Sequence, residues 1–143
     1  MVTTEDAPVE ELPVDVCWEL LEREEFGRLA YRLVDEVHLV PINYAVDSGA
    51  LLFRTASGNK LLAAALHSDV AFEIDWHDDR SAWSVVVRGQ LHRLQEDEQH
   101  RVDTLLLHPW VPTLKYDVVE LRPVSVTGRS FFLRRAEPDH QLA

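Results

Sequence analysis

The sequence predicts a mainly β protein of one domain, in which six or seven antiparallel strands close into a barrel flanked by three short helices. Three observations predict it. Apolar, β-branched runs recur along the 143 residues, and most are joined by turns too short for a crossover helix, which favours an antiparallel sheet over βαβ units. Segments such as Asp69 to Asp75, DVAFEID, alternate with the period of a half-buried strand. Few helices are available to cover sheet edges, so closing the sheet is the economical way to remove them.

Residues 1–13 read as a flexible acidic arm, residues 14–135 as the domain and residues 136–143 as a polar tail. The arm has neither a basic start nor an apolar centre, so it does not read as a signal peptide. Pro13 and Asp15 open a helix, with Asp15 as N-cap, and Val16, Trp18, Leu20 and Leu21 share an apolar face. It is expected to end near Phe26 and Gly27, the glycine serving as the stop. Cys17 within it reads as a small core residue, because nothing nearby would lower its pKa. Gly27 to Leu33 is a strand, Val34-Asp35-Glu36 a turn, and Val37 to Val46 a second strand. Asp47-Ser48-Gly49 supplies turn chemistry into a third strand, Ala50 to Thr55.

A loop from Ala56 to Lys60 then leads into a helix carrying Leu61, Leu62, Ala65 and Leu66. The DVAFEID strand follows, then a polar tip from Trp76 to Arg80 and a long strand from Trp83 to Leu94. Gly89 inside that strand suggests a bulge or a close backbone approach. Glu96 to Leu107 has helical spacing, His108 to Pro112 is a proline-bounded loop, and Tyr116 to Leu133 supplies one or two final strands.

The net charge of −11 argues against a general nucleic-acid or anionic-membrane surface, since both demand a basic face. No apolar window reaches transmembrane length. The single cysteine excludes a disulfide framework and a cysteine-based zinc site, so a cytoplasmic protein is the expectation. The seven histidines show no HxxxH or HExxH spacing, and there is no GxSxG, P-loop or GxGxxG. The acidic residues of Asp75 to Asp79 read as a solvated hairpin tip rather than a cation site. Trp76, Trp83 and Trp110 read as core tryptophans or as an aromatic wall. No self-contained acid–base or nucleophilic apparatus is visible, so any chemistry belongs to a cofactor.

One junction carries a binding signal. Ser57 is a candidate N-cap, which directs free N–H groups outward near Gly58 to Lys60. Lys60 in a first helical turn opposes the helix dipole unless an anion is present, and Arg54 and Thr55 lie just upstream. Together they make a plausible phosphate seat, and the same pattern also fits an ordinary surface Lys and Arg at a β–α junction.

The strings CWELLEREEFGRLAY, VHLVPINYAVDSGALLFRTASGNKL, DVAFEID, AWSVVVRGQL and VELRPVSVTGR occur in this order. They resemble the pyridoxamine 5′-phosphate oxidase-related, FMN-binding split-barrel family from about Asp15 to Arg129. The resemblance implies a six-stranded split β-barrel acting as a homodimer, with FMN in each cleft between subunits. It implies that the backbone of Val40, Pro41, Ile42 and Asn43 runs along the flavin ring. Phe53, Arg54 and Thr55, with the turn through Ser57, Gly58 and Lys60, would hold the ribityl phosphate. There Lys60 is a point charge, Arg54 a forked donor and Thr55 a hydroxyl donor. Trp83 and Ser84 match positions that reach the flavin of the other subunit.

The chain lacks the long C-terminal extension that grips pyridoxamine phosphate in the true oxidase; Arg134 and Arg135 could substitute weakly. The resemblance therefore implies an oxidoreductase passing a hydride or electron pair between a nicotinamide donor and an unknown small molecule. The alternative is a non-catalytic carrier or sensor of flavin, deazaflavin or haem, with His38 the first haem-ligand candidate. A third reading is an interaction module that has lost its cofactor.

Overall fold

The computed structural model describes residues 9–56, 63–98 and 116–133. In chain order the elements are β1 (Val9–Glu11), α1 (Val14–Arg23), β2 (Phe26–Leu33), β3 (Glu36–Asp47), β4 (Ala50–Ala56), β5 (Asp69–His77), β6 (Ser81–Arg93) and β7 (Tyr116–Phe132). A single 3-10 turn spans Glu96–Glu98. The sheet runs β1-β7-β4-β3-β2-β5-β6, and a β6–β7 ladder closes it. β2 to β7 thus form a closed six-stranded barrel, every pairing antiparallel, and β1 is an extra strand on the outer edge of β7. The predicted fold class is the observed one.

The turns follow from local chemistry. Asp47 faces Ala50 across a two-residue connection in which Ser48 and Gly49 both have positive φ, the hairpin geometry that matches strand twist. Leu33 faces Glu36, and the turn between them holds Val34 at φ 57, a left-handed conformation that a β-branched residue rarely adopts. At the β5–β6 tip the Asp78 carboxylate accepts from the Arg80 and Ser81 amides at 2.7 and 2.8 Å. Those amide bonds hold its pKa below the usual carboxylate range, and they account for an aspartate there without a cation.

Helix α1 buries Cys17, Leu20 and Leu21 on the barrel. Two expectations for it fail. Asp15 is not the N-cap: it lies in the first turn, where a carboxylate favours the helix dipole, and the cap position is Pro13, with no side-chain cap bond. The Pro13 carbonyl accepts from the Cys17 amide at 3.0 Å, so the turn closes without a cap. The helix also stops at Arg23 rather than at Gly27, because Glu24 is already extended and the Glu25 carbonyl accepts from the Tyr44 amide. Gly27 is instead a strand residue. A Cβ there would sit 2.5 Å from the Phe72 ring and 2.6 Å from the Glu73 carbonyl.

The barrel interior holds Tyr44, Phe53, Phe72, Leu29, Leu51, Ile74, Val85, Val87, Leu91 and Leu121. The Phe72 ring meets Tyr44 edge-on at 4.9 Å and Phe53 at 5.3 Å. The buried Tyr44 hydroxyl donates to the Leu21 carbonyl at 2.6 Å, tying the end of α1 to the core. A smaller cluster of Leu52, Leu94 and Val118, with Ala45 beside it, lies on the opposite face of β3, β4 and β7.

Gly89 marks both features that its position suggested. The β6–β7 register shifts between Arg88 and Gly89, leaving Val124 as an extra residue on β7, and a Gly89 Cβ would lie 2.0 Å from the Arg122 carbonyl. Other expectations are revised. The final segment is one strand of 17 residues, because Gly128 does not break it but admits Cys17 Sγ and Leu12 at close range. Part of the expected flexible arm, Val9–Glu11, is strand β1, paired with Arg129 to Phe131. Strand β5 runs on through Trp76 and His77, shortening the polar tip. Of the helix expected from Glu96 to Leu107 the described part is the 3-10 turn, and of that expected at Leu61 to Leu66 only Ala63 and Ala64 are helical among the described residues. The 108–112 loop and the 136–143 tail lie outside the described residues.

Gly89→Ala is expected to cost about 3 kcal/mol through overpacking against immovable backbone. Gly49→Ala, which meets nothing within 4 Å, should cost only about 1 kcal/mol for its positive φ. Tyr44→Phe should cost about 1 kcal/mol for its buried hydrogen bond. Urea midpoints of the three variants check the order.

Candidate functional site

Strand alternation sorts the predicted site residues between core and exterior. Val40 and Ile42 pack against the barrel core and Phe53 is fully buried in it, so these three can meet a ligand only through their backbone. Pro41, Asn43 and Arg54 alternate with them and face outward. Among the described residues β4 pairs with β3 only over Tyr44–Asp47, and Val40, Pro41 and Ile42 pair only with Leu29, Arg28 and Gly27 of β2.

The adjoining outward face is unusually polar for its burial. Asn43 and Glu120 are the two buried polar side chains among the described residues, at 7% and 6% exposure. Both lie on the face of the Leu52, Leu94 and Val118 cluster. Arg54 stands opposite Val118 and Thr55 opposite Asp117, and the Arg54 Nε is shut off from solvent. Glu120 accepts from Arg122 Nε at 2.8 Å. Arg54 and Thr55 therefore close β4 next to the one-sided stretch of β3. Ser57, Gly58 and Lys60, which the sequence places with them, lie outside the described residues.

Trp83 and Ser84 occupy a different sector. Ser84 sits between Asp75 of β5 and Arg129 of β7, and Trp83 between Trp76 and Ser130. Trp83 is half-buried against the core, whereas Trp76 is 45% exposed. Between the two halves of the predicted site runs the outward row Pro41, Arg28, Glu73, Val86. It spans three strand spacings, about 14 Å of sheet. Within one chain the described residues do not bring the two halves into a common cleft.

That row contains a charge cluster which the sequence reading did not single out. Arg28 Nε donates to Glu73 Oε1 at 3.0 Å, and Arg28 Nη2 reaches Asp75 Oδ2 at 3.0 Å. Glu73 is raised from its ordinary pKa: burial contributes most and a hydrogen bond with Asp75 adds to it, while Arg28 pulls the other way. Arg28 is itself raised, chiefly by its bond to Glu73. The signal was present as charged residues at alternating positions of GRL and FEID. What was missing is the register that puts the two strands side by side.

Other candidates make local contacts. His38 stacks on Tyr31 with ring centroids 5.3 Å apart and planes 13° from parallel. His67 and His92 meet edge to face at 5.0 Å. Burial raises the Cys17 thiol, which leaves it a core group rather than a nucleophile. No cluster of three metal-ligating side chains exists among the described residues, and no described helix is long and apolar enough to cross a membrane. Trp110, Arg134 and Arg135 lie outside the described residues.

Comparisons with known proteins agree with this fold. The profile of a family described as pyridoxamine 5′-phosphate oxidase matches residues 13–130. The crystal structure of a Corynebacterium glutamicum protein is 44% identical, with a TM-score of 0.80, covering 88% of this chain and 100% of its own. A FAD-binding protein from Mycobacterium smegmatis is 36% identical, with a TM-score of 0.79, covering 87% of this chain and 100% of its own. An uncharacterized protein of Mycobacterium tuberculosis is 34% identical over 127 residues, 84% of each chain.

Because Arg28 is the cation shared by two carboxylates, Arg28→Gln should push the Glu73 pKa further up. A raised carboxyl pKa favours the folded state below that pKa and loses this contribution as pH rises through it. The variant should therefore lose more stability than the parent on going from acid to neutral pH. Carboxyl carbon NMR titration, with urea unfolding at both pH values, checks both parts.

Proposed function

Because the chain belongs to the pyridoxamine 5′-phosphate oxidase family, we propose that it binds a flavin nucleotide between two copies of itself and serves as a flavin-dependent oxidoreductase. The observation that carries this reading is the meeting of Arg54 and Thr55, at the end of β4, with the Val40–Ile42 stretch of β3 that pairs on one side only. A one-sided strand offers N–H and C=O groups at fixed spacing to the polar edge of a planar ring. Arg54, Thr55 and Lys60 supply a forked donor, a hydroxyl and a point charge for the phosphate. In a chain of net charge −11 such a seat must gather its cations locally.

The site's division supports the homodimer in this reading. Trp83 and Ser84 lie on another sector of the barrel, so they would complete the site by reaching the flavin seated on the other copy. Val37 and Leu39, 64% and 65% exposed on β3, give such a contact an apolar component. Bound flavin would supply the hydride or electron-pair chemistry, accepting from a reduced nicotinamide and passing to a small molecule. The chain's own residues would anchor the phosphate, orient the ring and exclude water. FMN is the form the resemblance implies. The FAD-binding relative makes FAD the form to test beside it, because both carry the same ribityl phosphate.

The visible spectrum of freshly purified protein, with mass spectrometry of what heat releases, should show one flavin per chain. Replacing Arg54 and Lys60 together with Ala should weaken flavin retention about 100-fold or more, since each charge-assisted contact is worth ~1.5–3 kcal/mol. The sedimentation profile of a dimer should persist. A double variant that holds flavin as tightly as the parent overturns the phosphate seat. Flavin that binds but is not reduced by NADH or NADPH points to a carrier rather than a nicotinamide-dependent enzyme.

A further inference from the structure

A cleft of about 550 Å3 opens on the side of the barrel formed by β5, β6 and the end of β7. That volume lies in the range of small-molecule sites. Ala82, Phe131 and Leu133 give it an apolar part; Glu73, Asp75 and Ser84 give it a polar one. No lysine or arginine lines it among the described residues. Arg28 reaches both carboxylates but is one guanidinium for two acids, which leaves the wall with an excess of negative charge. Glu73 is partly withdrawn from water, so its field is less screened than that of an exposed acid.

These properties select among ligands. A phosphate or carboxylate would meet two carboxylates, with only the His77 imidazole in the wall and an Arg28 already engaged by those acids. A neutral ring would gain the apolar contact alone. A cation carried on an aromatic or alkyl body gains both, with the face of an aromatic ring available to the charge. We propose that this cleft binds an organic cation, its nitrogen directed to Glu73 and Asp75 and its apolar body against Phe131 and Leu133. Ser84 belongs both to the cleft and to the expected flavin contacts, so the cation is the small-molecule acceptor to which the flavin passes its electrons. That role rests on the flavin reading, whereas the binding itself does not.

Three ligands built on one pyridine ring separate the alternatives: the cation 1-methylnicotinamide, neutral nicotinamide and anionic nicotinate. Each is titrated into the full chain as purified, following tryptophan fluorescence, to which Trp76 and Trp83 beside the cleft contribute. The cation should saturate the signal at least about tenfold more tightly than nicotinamide, a difference of ~1.4 kcal/mol, and nicotinate should not saturate it. Glu73→Gln combined with Asp75→Asn should weaken the cation by about tenfold or more. Phe131→Leu, which leaves the partners of Arg28 in place, should weaken it about threefold. Linear quenching by the cation, nicotinate binding as tight as the cation's, or variants that bind like the parent would each overturn the proposal. Flavin content of the same samples is read separately. Saturable cation binding without flavin uptake keeps the cleft and sinks the flavin reading, and flavin uptake without saturable cation binding does the reverse.

Discussion

Closure of the barrel depends on β7 being held from both sides. Its first residues, Tyr116 to Leu121, bond to β4, while β6 runs along it from Val119 to Phe132. Side chains alternate with period two, so this pairing fixes which member of every strand enters the core. The bulge at Val124 is part of the device. Before it Val119 and Leu121 face inward; after it Val126 packs against the core. The bulge absorbs the extra residue; in a regular ladder that counted Val124, Val126 would turn out and its polar neighbours Ser125 and Thr127 would turn in. Gly89 permits the bulge because the Arg122 carbonyl occupies the space of a side chain there.

The same geometry divides the functional surface. β4 is short and pairs with β3 over four residues, so among the described residues the preceding part of β3 keeps one backbone edge without a ladder. Arg54 and Thr55 arrive at that edge from β4, beside a buried Asn43. On the other sector, β2 and β5 bring Arg28 against Glu73 and Asp75. On the proposed reading one sector would receive an anion and the other a cation. Such opposed fields suit a site that holds a phosphorylated cofactor while admitting a substrate of different charge.

Much of this was legible in the sequence. The hairpin at Asp47 to Gly49 was readable because turn chemistry is local, as was the bulge at Gly89, since glycine inside an apolar strand has few other uses. The residues of the proposed phosphate seat could be grouped because they lie within seven positions of one another, from Arg54 to Lys60. The family resemblance rested on segments of the same kind, each short and continuous. Helix α1 was also readable as an amphipathic stripe, but its ends were not. Gly27 has the look of a helix stop, and only the Phe72 ring and Glu73 carbonyl packed against it explain why a glycine stands there.

What the sequence by itself determined is therefore what depends on neighbours along the chain: strand periodicity, turn residues, the barrel class and the closeness of Arg54 and Lys60 along the chain. The tertiary structure decided what depends on register. Arg28 and Glu73 are 45 residues apart, and nothing in either local pattern says that they meet. Pairing of β2 with β5 places them side by side, and closure through β7 sets Phe131 and Leu133 beside Glu73, Asp75 and Ser84. Long-range ladders are stabilised by the whole barrel rather than by any one residue, which is why no single stretch of the chain encodes them.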